Sequence, residues 1–270
     1  MTSAVDVSVR SDVGVVRSVN EDSMLAVDPV FVVADGMGGH ARGDAASQAA
    51  VATLARVLPA GARPTPDEVI AAIDEANTAV RALSGAEESG IAVAGTTLTG
   101  VVRVRVPDNG EQWMVVNVGD SRVYRWNGRE LDQLTVDHSA VQELVDAGLI
   151  TVAQAAVHPE RNVITRALGA EDLVDTDVLL VEPRGRQTFL ICSDGLTKEL
   201  DDTEIARILA DTRGAYAADA LVEAAIEAGG RDNVTVVVVE SVTGEADSAA
   251  EDTRDRVEET GSIEDTRPRG

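Results

Sequence analysis

Four times in this chain a short run of apolar, mostly β-branched residues is bounded by an aspartate next to a glycine or an asparagine. Residues 30–34 run into Asp35-Gly36, residues 114–118 into Gly119-Asp120, residues 189–193 into Asp194-Gly195, and Asp232-Asn233 comes immediately before residues 234–239. Runs this short and this continuously apolar read as strands covered on both faces. A single Asp-Gly is equally an ordinary turn, because Gly supplies positive φ and Asp bonds its own backbone. Repetition changes that reading: three strands deliver a carboxylate as they end and one receives it as it begins, and antiparallel pairing brings both kinds of end together. Carboxylates crowded in one cleft repel, and bound cations offset that repulsion.

The remaining composition bounds the chain. A formal net charge of -24 and a pI near 4.3 exclude nucleic acid and anionic membrane surfaces as partners, since both are repelled. No apolar run approaches the roughly 18 to 20 residues of a membrane span, and the N-terminus lacks the apolar stretch of a secretory signal, so a cytoplasmic, monomeric protein is expected. One cysteine, Cys192, excludes an internal disulfide and reads as a core residue. The only lysine, Lys198, reads as compositional bias and receives no role. At 270 residues the chain can bury one large core. Residues 242–270 are acidic, with little apolar beyond Val257 and Ile263, which predicts a disordered tail after a domain spanning residues 1–241.

Along that domain, alternation predicts a strand over residues 5–9, and residues 23–27 and 30–34 predict a strand pair around Asp28-Pro29. Helices are expected over residues 43–58 and 66–83, the second announced by a Thr65…Glu68 capping box with Pro66 at the first helical position. Strands follow at 98–106, 113–118 and 122–126. A helical insertion is then expected over about 139–175, before strands at 178–182 and 187–193, helices near 203–210 and 216–228, and a closing strand at 233–240.

The words R-S-V-N-E-D, V-A-D-G-M-G-G-H, A-G-T-T, V-G-D-S-R-V-Y, L-T-V-D-H-S, H-P-E-R-N-V-I-T-R-A-L-G, S-D-G-L and G-R-D-N-V-T occur in that order between residues 17 and 235. Together they resemble bacterial members of the metal-dependent protein phosphatase family (PPM, type 2C), over about residues 5–240. The resemblance implies an α+β fold, a four-layer α-β-β-α sandwich with two central antiparallel sheets flanked by helices. It implies a two-metal centre in which Asp35 bridges both ions and the Gly36 carbonyl meets one through water. Asp194 and Asp232 resemble ligands of the first ion, Glu21 an acidic contact to the second, and Asp22 the neighbour that orients water there. Asp120 resembles a ligand of a weaker third ion, shared with Asp194. Arg17 resembles the clamp on substrate phosphate, and Asn233 a brace for the Asp232 loop.

Chemistry agrees with that ligand set: oxygen donors select Mg²⁺ or Mn²⁺, whereas zinc takes His or Cys, and the three histidines are not suitably grouped. Two such ions activate a water for in-line attack on phosphorus without a covalent intermediate. Many eukaryotic relatives carry a histidine directly after the Asp-Gly word. Met37 stands there in this chain, so the general acid is unassigned, with His40 read as a loop residue as readily as a proton donor and His138 and His158 read as structural. No Gly-Lys-Ser/Thr follows the glycines, so a nucleotide P-loop is disfavoured. The expected function is hydrolysis of phosphoserine and phosphothreonine in proteins, opposing a bacterial serine/threonine kinase, with the insertion at about 139–175 as a substrate-facing flap. A catalytically idle binding module would be marked by a missing metal carboxylate, and none is missing. A calcium-binding loop would gather its carboxylates in one segment, whereas these are dispersed.

Overall fold

The computed structural model of the chain describes residues 4–37, 42–83, 94–212 and 214–243. In chain order its elements are β1 (Ala4–Asp12), β2 (Asp22–Val27), β3 (Val30–Met37), α1 (Gly43–Val57), α2 (Pro66–Leu83), β4 (Gly95–Thr96), β5 (Leu98–Val106), β6 (Gly110–Val118), β7 (Arg122–Trp126), β8 (Leu131–Gln133), α3 (Ala140–Asp146), α4 (Val152–Ala155), β9 (Asp177–Val181), β10 (Arg186–Cys192), α5 (Asp194–Thr197), α6 (Asp202–Asp211), α7 (Ala217–Ala228) and β11 (Val234–Val242). One sheet has the order β1-β11-β10-β7-β8 and the other β2-β3-β5-β6-β9, with β4 added to β3. All strand pairs are antiparallel.

The central strands explain their own sequences. Along β3, Val30, Val32 and Ala34 face α1 and α2, while Phe31 and Val33 face the opposite sheet. Along β11, Val234, Val236 and Val238 face α6 and α7, while Val237 and Val239 face inward. A strand sandwiched this way must be apolar at every position, which is why these segments show no alternation. The layers are therefore helices, sheet, sheet, helices: the α-β-β-α sandwich that the motif order implies.

Trp113 fills the space between the sheets, its ring 6.0 Å from that of Phe31 and 5.3 Å from that of Phe189. Most of its inner-layer neighbours are valines or isoleucines. The helix expected at residue 66 forms with its capping box: the Thr65 N–H donates to Glu68 Oε2 at 2.7 Å and the Glu68 N–H to Thr65 Oγ1 at 3.3 Å. Its buried stripe is Val69, Ala72, Ile73, Ala76, Asn77 and Val80, one face at helical spacing.

Four local expectations are corrected. β3 does not end at Asp35 but continues to Met37, because Gly36 and Met37 pair with the two-residue strand β4. β1 extends beyond the expected residues 5–9 to Asp12 by following β11 in register as far as Asp12↔Val234. Strands β4 and β8 are too short to show periodicity. The insertion is mostly irregular, with two short helices, α3 and α4, separated by the Gly148 turn. Its alanines and acids have helical propensity, but its apolar residues find little to pack on: Leu149, Val152, Val157 and Leu173 are exposed. The insertion is tied at its neck, where the Ala140 N–H donates to the Val163 carbonyl and the Thr165 N–H to the His138 carbonyl. His40 and the tail from residue 244 fall outside the described residues.

Replacing Trp113 with Ala should cost about 3–5 kcal/mol, the usual penalty for emptying a buried aromatic site. Thermal unfolding should then shift downward by roughly 10 °C. A shift below about 2 °C would mean that the inter-sheet layer closes over the gap.

Candidate metal centre

Asp35 stands on β3 directly opposite Asp22 on β2. Two threonines fix its backbone: the Asp35 N–H donates to Thr97 Oγ1, and the Asp35 carbonyl accepts from Thr96 Oγ1 and the Thr97 N–H, all at 2.9 Å. Thr97 Oγ1 also bonds Ser121 Oγ at 2.9 Å, which draws the Gly119-Asp120 turn toward the same edge. His138 locks that turn from behind, its Nδ1 accepting the Gly119 N–H at 3.1 Å while Nε2 meets Asp177. The histidine is therefore structural, as expected.

Ser193 joins the two sheets at this edge. Its hydroxyl donates to Asp22 Oδ2 at 2.8 Å and accepts the Thr235 N–H at 2.9 Å. Asp194 follows it as the first residue of α5. Gly195 makes the approach to the Asp232 loop possible, since a Cβ there would lie 1.9 Å from the Asn233 carbonyl oxygen. Asn233 does more than brace Asp232: its Oδ1 accepts the Glu21 N–H at 2.9 Å and its Nδ2 donates to the carbonyls of Val13 and Val19, each at 3.0 Å. The loop carrying Arg17 and Glu21 is thereby fastened to the loop carrying Asp232. On the far side Gly36 and Gly43 pack backbone to backbone. A Cβ on Gly43 would lie 2.6 Å from Glu21 Oε1 and 2.9 Å from the Gly36 oxygen, so the pair keeps that carbonyl and that carboxylate facing one space. Gly43, Thr97, Ser121 and Ser193 were not singled out from the sequence, although all but Gly43 belong to the quoted words.

Electrostatics follow from the crowding. Burial, reinforced by Asp22, Asp194 and Asp120, holds the Asp35 carboxyl well above the usual carboxylate range. Burial, with Asp194 and Asp137 nearby, pushes Asp120 up to about 7. Asp22 rises to about 6, chiefly by burial. Asp194 is raised by burial against the pull of Lys198. Asp232 alone is lowered: burial opposes this, but Lys198 and Arg17 outweigh it. Arg17 Nε lies 2.9 Å from Asp232 Oδ1, and Lys198 Nζ lies 3.1 Å from Asp232 Oδ2 and 2.5 Å from Asp194 Oδ2.

The cluster suits hard divalent cations. Its donors are all oxygens, and two of them, Asp22 Oδ1 and Asp120 Oδ1, are buried without a hydrogen-bond partner, which is costly unless something else meets them. Glu21, Asp22, Asp35, Asp120, Asp194 and Asp232 supply six carboxylates against two fixed cations, Arg17 and Lys198. Among the described residues, no three His, Cys, Asp or Glu side chains stand ready to close on an ion. A cleft of about 460 Å³ opens from this cluster. Asp120, Asp194, Lys198 and Asp232 line one end, and Val141, Val145, Val152 and Ala155 of the insertion line the other.

Residues 17–228 match the family model described as Protein phosphatase 2C. The chain belongs to the protein phosphatase 2C family. It is 39% identical over 239 residues to the serine/threonine protein phosphatase PstP of Mycobacterium tuberculosis, covering 86% of this chain and 44% of PstP. It therefore spans less than half of that relative's length. The serine/threonine phosphatase stp of Listeria welshimeri is 38% identical over 242 residues, covering 86% of this chain and 94% of its own. The solved catalytic domain of PstP with two manganese ions superimposes with a TM-score of 0.77 at 38% identity, covering 90% of this chain and all of that one. Family membership agrees with the fold and the carboxylate cluster seen in the structure.

In chelated buffer, Asp120→Asn should unfold at a higher temperature than the wild type. An acid whose pKa rises on folding costs stability as its ionised form takes over, so the advantage of the amide should widen between about pH 4 and pH 7 and then level off. An advantage that does not vary with pH would show that the Asp120 carboxyl is not strained by its surroundings.

Proposed function

We propose that this protein is a Mg²⁺- or Mn²⁺-dependent protein serine/threonine phosphatase that opposes a bacterial serine/threonine kinase. The observation that carries the reading is the gathering of six carboxylates from five separate chain segments, two of them with buried, unpartnered oxygens and three of them, Asp120, Asp194 and Asp232, lining one cleft. The retained set argues against an idle binding module. Phosphorylated proteins are the substrate class, as in the names of the relatives. Among the described residues no helix is long and apolar enough to cross a membrane.

Asp35 would hold both ions, with the Gly36 carbonyl meeting one through water, Asp194 and Asp232 would hold the first and Glu21 the second. Asp120, beside Asp194, would hold a weaker third ion. When bound, the ions supply an activated water and positive charge for in-line displacement at phosphorus. Asp22, with Oδ2 fixed by Ser193, keeps Oδ1 free to orient that water. Arg17 stands half-exposed at the mouth and paired with Asp232. From there its planar fork can turn to the non-bridging phosphate oxygens, where two parallel bonds fix geometry as well as charge. The insertion contributes the apolar wall of the cleft, which fits the expected flap by seating the peptide around the phosphorylated residue.

The test is hydrolysis of a phosphothreonine peptide with Mn²⁺, with and without chelator. Turnover should require the metal, and Asp35→Asn should lose several orders of magnitude in kcat. Arg17→Ala should raise KM, with Arg17→Lys recovering only part of the loss, because it restores charge without the fork. Asp120→Ala should instead shift the Mn²⁺ concentration needed for full activity. Full turnover by Asp35→Asn, or by the wild type in chelator, would overturn the reading.

A further inference from the structure

The only lysine of the chain stands inside the carboxylate cluster. Local structure puts it there. Helix α5 is a single turn that begins at Asp194, and Lys198 caps its end with its N–H on the Asp194 carbonyl at 2.8 Å. The i,i+4 relation sets the lysine side chain over the aspartate side chain. Its ammonium bridges two carboxylates that are distant in sequence, 2.5 Å from Asp194 Oδ2 and 3.1 Å from Asp232 Oδ2. Arg17 grips both Asp232 oxygens, its Nε 2.9 Å from Oδ1 and its Nη2 donating at 3.1 Å to the Oδ2 that it shares with the lysine. The lysine side chain is one-third exposed where the cluster opens into the cleft, so it can withdraw outward without disturbing the core.

The oxygens that Lys198 holds are those assigned above to the first ion, and one pair of carboxylates cannot serve both partners at full strength. We propose that Lys198 is a tethered counter-ion that holds Asp194 and Asp232 together until a divalent ion displaces it. It thereby stabilises the metal-free protein and weakens metal binding at this pair. The inference rests on the two-ion reading of the site. Lysine suits this role through its compact charge, its flexible four-carbon stem and its three rotatable donors. Once displaced, the ammonium lies at the mouth of the cleft, on the side from which a phosphate dianion arrives.

The experiment titrates the metal-stripped full chain with Mn²⁺ by calorimetry and follows thermal unfolding in chelator, for the wild type, Lys198→Met and Lys198→Arg. Methionine keeps the length of the stem and removes the charge. For Lys198→Met the Kd for Mn²⁺ should tighten by about tenfold, the scale of one lost charge-assisted contact. Its metal-free Tm should fall by several degrees. Lys198→Arg should stay near the wild type in both readouts. Unchanged or weaker Mn²⁺ affinity in Lys198→Met, or an unchanged or higher metal-free Tm, overturns the counter-ion role while leaving the two-ion reading intact. Absence of Mn²⁺ binding in the wild type overturns both. Should Lys198→Met fail to fold without metal, Lys198→Gln takes its place under the same criteria.

Discussion

Mutual repulsion among buried carboxylates is the constraint around which this molecule is arranged. Asp22, Asp120 and Asp194 each raise the cost of ionising Asp35, and left to themselves these carboxylates would drive the sheet edges apart. What resists is the strands that carry them. β3, β10 and β11 are buried on both faces, so their ends cannot relax without opening a core. Backbone and hydroxyl contacts from Thr96, Thr97, Ser121, Ser193 and Asn233 then set the carboxylates within this rigid frame. The repulsion is thus stored in a frame stiff enough to hold it, and attraction for divalent cations is the other side of the same energy.

The acidic character of the whole chain sharpens this arrangement. An anion approaching a chain of net charge -24 meets an unfavourable field almost everywhere. At the cleft, Lys198 and Arg161 stand among the lining carboxylates, and Arg17 is paired with Asp232 beside them. Such local cations soften the acidic background for an incoming anion, and their effect weakens with added salt.

The layer order and the family were legible because they rest on signals that the sequence carries twice, once as apolar runs and once as motif words at strand ends. Where a segment's structure depends on what packs against it, the sequence was less informative. The insertion has helix-forming residues but no surface to bury an apolar stripe against, so it forms two short helices within irregular chain. β3 reads as ending at Asp35, yet it continues because a distant segment, β4, supplies partners for Gly36 and Met37. Lys198 is the sharpest omission. A lone lysine in an arginine-rich chain resembles compositional drift, and only the one-turn geometry of α5 together with the return of β11 brings it onto two carboxylates. Its i,i+4 spacing from Asp194 was visible; the partner residue, Asp232, was not.

The position of β11 in its sheet has a consequence for how such a protein is made. It is the last strand of the described fold, yet it lies between the first strand, β1, and β10. Asn233, at its threshold, clasps the loop of residues 13–21 that left the ribosome far earlier. A nascent chain can assemble β2, β3, β5 and β6 with α1 and α2 while translation continues, because all of these precede residue 119. The other sheet stays open along its middle until its final strand has emerged, and Asp194 waits without Asp232. The carboxylate cluster is therefore complete only once β11 has taken its place between β1 and β10.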